Sequence, residues 1–284
     1  MSALTGGIAY TPAVGSPASV EFGITDANNV QWSISNIAGD GGPPMNGQVV
    51  PAGGDHGGWA TPQFAGPRLL TLTILAIAPS TAARDVARTQ LYMATPINDL
   101  AVLRLDEPIP KQMYVRRSGD IPETKEADAD VRFAVGLVAP DPRKYGTILH
   151  QASASQASAA AGLAPPLTPP LALPPGAPPM AVSVTNSGSF GTRPTVTITG
   201  PITSPAVVNQ TTGAAVSFTG MTLSTGDQLL VDLGAKQSYL NGVYRTADIA
   251  SSWWELPPGT TTVQVTGTGS TGSTMTVAWR DAWI

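Results

Sequence analysis

The sequence predicts a mainly β protein with two domains, an α+β domain with one helix followed by a β-sandwich. The chain has 284 residues, enough for two cores of medium size. It contains 30 glycines and 27 prolines but only 12% charged residues, a composition typical of short strands joined by many turns. Short segments in which apolar and polar residues alternate recur along most of the chain, which favours strands over helices.

The amino-terminal domain is expected to span residues 1–145. Short strands are predicted near residues 19–24, 30–34 and 47–50, separated by glycine-rich turns. Longer strands are predicted near residues 68–75, 101–106, 113–117 and 131–137. Alternation puts the apolar side chains of the last of these on one face, as expected for a strand that covers a core.

One helix is predicted within this domain. Ser80 is expected to cap its amino terminus, and the helix should end near Met93, before Pro96. Its apolar face is predicted to consist of Ala83, Val86, Ala87 and Leu91. This helix would pack against the sheet.

The second domain is expected to span residues 146–284. Its first part contains a proline-rich extended segment, residues 164–179, which neither a helix nor a central strand would tolerate. Two interpretations stay open: a polyproline-like linker, or a segment whose leucines lie along a domain surface. From residue 181 onwards, six or more short alternating strands at intervals of about ten residues predict a sandwich. Because the chain ends in a strand with two tryptophans, that end is expected to be paired and buried.

Composition and charge exclude several classes of function. A net charge of −4 argues against a protein that wraps nucleic acid, and the absence of cysteine excludes disulfides and thiolate metal sites. Residues 1–7 lack the features of a signal peptide, and no run reaches the roughly 20 apolar residues of a membrane span. The sequence therefore predicts a soluble protein, made in a cytoplasm, with no membrane partner.

Five short motifs in the second half occur in an order and at a spacing that chance would rarely produce. They are VTNSG at 184–188, PTVTITGP at 194–201, NQTTG at 209–213, GDQLLVD at 226–232 and SWWELPPG at 252–259. The first half adds GGDHG at 53–57, FAGPR at 64–68 and FAVGLVAPDPR at 133–143. Together these motifs make the chain resemble the siphophage distal tail protein family, also called siphovirus-type tail components or phage minor tail proteins.

The resemblance implies a fold and a role. Residues 1–145 would be a tail-tube-like domain that assembles into a ring, most simply a homo-hexamer, and residues 146–284 a galectin-like β-sandwich. The ring would join the major tail tube protein to the tail hub, near the tape measure protein and other minor tail or receptor-binding proteins. Such a protein acts in the virion at the tail tip, passes through the host cytoplasm during assembly, meets DNA only in transit, and has neither catalysis nor a cofactor.

Two sets of residues are candidate contact sites. The loop Gly54, Asp55, His56, Gly57 is too rich in glycine for a regular element, and it is interpreted as a possible subunit interface rather than a metal site. Trp253 and Trp254 suggest a sugar-stacking platform, which would make the chain a carbohydrate-binding tail module that contributes to host adsorption. The competing interpretation is core packing, which is also expected for Trp279.

Overall fold

The computed structural model describes residues 5–13, 16–156, 180–269 and 271–284. The described residues form two compact units that meet in the sequence between Thr147 and Ile148. The proline-rich segment 164–179, for which two interpretations were open, lies outside the described residues.

The first unit is a sheet with a helix. Its strands are β1 (Gly6–Tyr10), β2 (Ala18–Phe22), β3 (Gln31–Ala38), β4 (Met45–Asn46), β5 (Val49–Pro51), β6 (Gly58–Ala60), β7 (Phe64–Ala65), β8 (Arg68–Ile77), β9 (Ala101–Leu105), β10 (Lys111–Arg117), β11 (Glu123–Lys125), β12 (Val131–Ala139) and β13 (Lys144–Gly146), and its helix is α1 (Thr81–Ala94). The main sheet has the antiparallel order β2-β1-β9-β10-β12-β8-β3, with β11 beside β12 and β13 beside β10.

The core of this unit follows the alternation predicted from the sequence. Buried and exposed residues alternate along β8, and the same pattern along β12 buries Phe133, Val135 and Leu137. Trp32 on β3 is fully buried and its ring stacks on Phe133 at 6.4 Å. The buried indole N–H donates to Asp26 Oδ2 at 3.0 Å, so this polar group is satisfied inside the core.

Helix α1 confirms the predicted start and end to within one residue. It buries Ala87, Leu91 and Ala94 against the sheet, in a narrow stripe on one side. The prediction for Val86 was wrong, because this side chain is half exposed. Val86 lies three residues from Ala83, at the margin of a stripe too narrow to cover it.

Replacing the predicted cap is expected to have a moderate effect. Ser80 has extended backbone angles, and its side chain accepts a hydrogen bond from the Ala83 amide at 3.2 Å. Ser80→Ala should therefore lower the free energy of unfolding by about 1 kcal/mol, measured by chemical denaturation. Ser80→Asp, which can also cap, should restore most of the loss, and an unchanged Ser80→Ala midpoint would argue against the cap.

The second unit is a β-sandwich. Its strands are β14 (His150–Ser155), β15 (Met180–Asn186), β16 (Thr195–Thr199), β17 (Ile202–Asn209), β18 (Ala215–Ser217), β19 (Thr222–Leu223), β20 (Gln228–Asp232), β21 (Gln237–Leu240), β22 (Val243–Arg245), β23 (Gly259–Thr268), β24 (Thr274–Trp279) and β25 (Ala282–Trp283). One sheet has the order β14-β24-β16-β20-β21-β22, and the other β15-β23-β17-β18 with β19 beside β17. Alternate apolar residues of both sheets fill one core, which confirms the predicted mainly β class.

No helix among the described residues has the length and apolar character needed to cross a lipid bilayer.

Candidate functional site

A β-hairpin arm, residues 44–66, is the feature of the first unit that its core does not explain. Strands β4 and β7 pair with each other, as do β5 and β6, and both pairs are separate from the main sheet. Thr61 joins the two pairs, since its hydroxyl donates to the Gln48 carbonyl at 2.7 Å and accepts from the Gln48 amide at 2.9 Å. The arm is therefore a continuous two-stranded ribbon.

The arm exposes large apolar side chains. Five of them are between 47% and 73% exposed: Met45, Val49, Val50, Trp59 and Phe64. Val50 lies directly opposite Trp59, so these two side chains share one face of the ribbon. A two-stranded ribbon has no core of its own, and apolar clusters of this kind mark interaction surfaces. The exposed apolar side chains of the arm are typical of a surface that binds a partner.

The four predicted loop residues form the tip of this arm. Gly54 and Gly57 have positive φ angles of 87° and 94°, which explains why glycine stands at both positions. A Cβ atom at either position would meet nothing within 4 Å, so no close approach inside this chain requires them. Asp55 Oδ1 accepts a hydrogen bond from the His56 amide at 2.7 Å, and both side chains are exposed.

A buried arginine holds the root of the arm, the loop of residues 39–43. The Arg68 side chain is fully buried and its guanidinium donates to the carbonyls of Gly39, Asp40 and Gly41. The same group donates to the Pro142 carbonyl at 3.1 and 3.3 Å. Burial lowers the pKa of Arg68, and the charge of Asp40 opposes that shift. Arg68 thus joins two motifs that the family resemblance had singled out separately.

An ion-pair network reinforces the root. Lys144 Nζ lies 2.7 Å from Asp40 Oδ1 and 3.3 Å from Glu107 Oε1. Glu107 also accepts from Lys111 at 2.7 Å. Partial burial alone would raise the pKa of Glu107, but the hydrogen bonds and charges of Lys111 and Lys144 outweigh it and the pKa is lowered. The carboxylate is therefore held in its charged form.

Glu107→Gln is expected to reduce stability in a pH-dependent way. Because the folded pKa lies below the unfolded value of about 4.3, the charged carboxylate stabilises the fold above that pH, and this contribution is lost as the pH falls through the folded pKa. The variant should be less stable by up to ~1 kcal/mol at pH 7, with the gap closing below about pH 4. Thermal unfolding of the variant and of the unmodified chain at pH 7 and at pH 3 measures the stability difference at each pH. An equally large difference at pH 3 would show that it does not depend on the charge of Glu107.

The last strands of the second unit are bonded closely to the loop after β15. Asn186 is buried; its Nδ2 donates to the carbonyls of Phe190 and Leu256, and its Oδ1 accepts from the amides of Gly188 and Ala282. A Cβ at Gly188 would lie 1.9 Å from the Ala282 carbonyl oxygen. Only glycine fits this close approach, which explains the VTNSG motif in physical terms.

The predicted tryptophans occupy different environments. Trp254 is 5% exposed and belongs to the core of the second unit, as does Trp279. Trp253 is half-buried and lines an open cleft beside β21 and β22. Any sugar contact in this region therefore depends on Trp253 and not on an exposed pair.

Several carboxylates and a histidine of the second unit have partners that explain them structurally. Asp227 accepts a hydrogen bond from the Ser224 amide, Asp232 from the amides of Gly234 and Ala235, and Glu255 pairs with Arg193 at 2.8 Å. His150 stacks on Trp279 at 5.5 Å and lies 3.5 Å from Asp281. In the part of the chain that the structure describes, no three His, Cys, Asp or Glu side chains cluster as metal ligands would.

Comparison with known proteins supports the resemblance drawn from the sequence motifs. Residues 187–283 match the family model for the siphovirus-type tail component, C-terminal domain. The resemblance to siphophage distal tail proteins is confirmed. No curated protein matches the sequence.

Solved structures extend the likeness to the distal tail protein fold over nearly the whole chain. The SPP1 Dit protein, described as a paradigm of the hub adsorption apparatus in phages that infect Gram-positive bacteria, matches with a TM-score of 0.59 and 17% identity, covering 89% of this chain and 94% of its own. A chain of the phage P2 baseplate in its activated conformation with calcium matches with a TM-score of 0.55 and 10% identity, covering 97% of both chains. At these identities the matches establish the fold.

Sequence reasoning missed the apolar side chains of the arm. A usable signal was present, because apolar residues flank the glycine-rich loop on both sides, as in a hairpin. The exposure of these side chains could not be predicted, since the same apolar pattern is also found in buried strands.

Proposed function

We propose that this chain is a structural tail component that assembles into a ring, most simply a hexamer, and joins the tail tube to the hub of a long non-contractile phage tail. The family match and the distal tail protein fold support the structural role in a tail. The role requires no catalysis.

The single observation that carries the ring is the arm. A closed ring of identical subunits needs a head-to-tail contact, in which one surface of each subunit meets a different surface of the next. The exposed apolar side chains of the arm supply one such surface, and the Arg68 contacts fix the loop from which it starts. The tip residues Gly54 to Gly57 belong to this proposed subunit interface.

The charge of the chain suits a passage for DNA. A chain with a net charge of −4 fits such a ring, because a lumen that did not bind phosphates would not hold the genome during ejection. The tube protein, the hub, the tape measure protein and further minor tail proteins are the partners that this position at the virion tail tip implies.

The solution mass of the purified chain tests the ring. Six copies of a 29.1 kDa subunit give about 175 kDa by size exclusion with light scattering. A trimer would have half that mass and would correct the symmetry. A monomer across the accessible concentration range would contradict a ring that assembles without a template.

A further inference from the structure

An open cleft on the second unit has a chemistry that the tail-adaptor role does not use. It has a volume of about 280 Å³ and runs beside β21, β22 and the chain segment that leads to Trp253. This volume is close to the lower bound of roughly 300 Å³ for small-ligand sites, so the cleft is large enough for one end of an extended ligand rather than for a large cofactor.

Two aromatic rings line the cleft and are held in place from behind. The Tyr244 ring is 53% exposed and packs edge-on against Tyr239, with centroids 6.0 Å apart and planes at 75°. The Tyr239 hydroxyl in turn donates to Gln237 Oε1 at 2.6 Å. Trp253 packs partly against the core of the unit and leaves the rest of its ring at the cleft. Both rings therefore have partners that limit their freedom before any ligand arrives.

The cleft also has an excess of positive charge. Lys236 and Arg245 both line it, and neither forms an ion pair with any residue in the described ranges. Asp248 is the carboxylate that lines it, but its oxygens already accept hydrogen bonds from the amide and hydroxyl of Thr219, at 2.7 to 3.2 Å. Those bonds hold the pKa of Asp248 below its usual value, so the carboxylate stays charged and the cleft carries two positive charges against one negative charge. Because neither cation forms an ion pair among the described residues, both can contact an acidic ligand.

The site also contains hydrogen-bond donors that can bind sugar hydroxyls. Gln237 uses its oxygen to accept from Tyr239, so its amide nitrogen keeps two N–H donors. The combination of flat apolar rings, amide donors and unpaired cations matches a sugar that also carries an acidic group. The apolar C–H face of a pyranose packs on the negative face of an aromatic ring, while the cations receive the acid.

We propose that this cleft binds an acidic saccharide, one that carries a carboxylate or phosphate on its ring. The aromatic rings of Tyr244 and Trp253 contact the apolar face of the sugar, and Lys236 and Arg245 contact its acidic group. The proposal concerns the second unit alone and does not rest on ring formation.

Isothermal titration of the full chain tests the proposal with four probes: tetragalacturonic acid, glucose 1-phosphate, the neutral tetrasaccharide maltotetraose, and inorganic phosphate. At least one acidic sugar should bind, and at least tenfold more tightly than maltotetraose and than inorganic phosphate. Raising the salt concentration should weaken it, because the cations are exposed. The variants Tyr244→Ala and Lys236→Gln should each lower the affinity by about tenfold, corresponding to 1.4 kcal/mol.

Val243→Ala is the matched control, because Val243 is a half-exposed residue of the same strand that does not line the cleft. It should leave the affinity unchanged. Absence of binding by both acidic sugars overturns the proposal. So does equal binding of the neutral sugar, equal binding of inorganic phosphate, or an affinity that both cleft variants retain. Trp253→Phe, which keeps an aromatic ring against the core, provides a further variant that is expected to fold.

Discussion

Replacing Trp59 and Phe64 of the arm by serine is expected to abolish assembly and leave a folded monomer of 29.1 kDa. The two side chains are 73% and 70% exposed, so they contribute little to the core of the isolated subunit. In a ring each would be covered by a neighbour, and burying a large apolar side chain is worth about 1.5–3 kcal/mol. Losing both should weaken every subunit contact by roughly 10² to 10⁴-fold.

Light scattering of the double variant measures the effect, at a concentration where the unmodified chain is assembled. Val243→Ser is the matched control, because it removes an exposed apolar side chain that belongs to the second unit and not to the arm. The control should keep the assembled mass, and both proteins should show the unfolding transition of an intact subunit. If the double variant keeps the assembled mass, the arm is not the ring contact.

Hydrogen exchange gives an independent reading of the same contact. The backbone amides of β5 and β6 lie in an exposed ribbon and should exchange readily in the monomeric double variant. They should be protected in the assembled protein, because a neighbour would cover them. Equal exchange in the two states would contradict an interface at the arm.

Removing the guanidinium of Arg68 is expected to destabilise the first unit strongly. Arg68→Met keeps much of the buried volume but leaves the carbonyls of the root loop and of Pro142 without their donor. Orphaned buried polar groups of this kind cost several kcal/mol in total, so the free energy of unfolding should fall by about 3 kcal/mol. The unfolding temperature of this unit should drop by roughly 10 °C.

The size of the effect distinguishes a buried arginine that bonds two segments of the chain from an ordinary surface arginine. Arg68→Lys should recover only part of the loss, since its single nitrogen cannot replace both Nη1, which donates to the root loop, and Nε and Nη2, which donate to Pro142. Arg132→Gln is the control, because Arg132 forms an exposed ion pair with Glu126 at 3.1 Å and should change stability by less than about 1 kcal/mol. If Arg68→Met unfolds at the same temperature as the unmodified chain, the hydrogen bonds of Arg68 do not contribute to stability.

The strands and the helix were predictable because their signals are local. Alternation along β8 and β12 and the cap at Ser80 depend on residues within a few positions of each other, and the structure places these elements within a few residues of their predicted bounds. Val86 was the exception, since the width of the buried helix stripe depends on the sheet below it and not on the helix alone.

The sites depend on contacts between distant residues. Arg68 donates a hydrogen bond to Pro142, 74 positions further along the chain, and Asn186 donates one to Leu256, 70 positions further along. In the sequence, nothing indicates that the motifs containing these residues are in contact. Trp253 and Trp254 are neighbours, yet Trp254 joins the core and Trp253 lines a cleft. Strand alternation predicts that the two side chains face opposite ways, but it does not predict which one faces inward.

The sequence by itself determined the mainly β class, the single predicted helix and the resemblance to siphophage distal tail proteins, because composition, periodicity and motif order are properties of the chain. Only the tertiary structure decided that residues 44–66 stand apart from the main sheet with their apolar side chains exposed, that a buried arginine holds their root, and that unpaired cations gather beside Tyr244. Exposure and pairing depend on what the rest of the folded chain covers, and no local pattern contains that information.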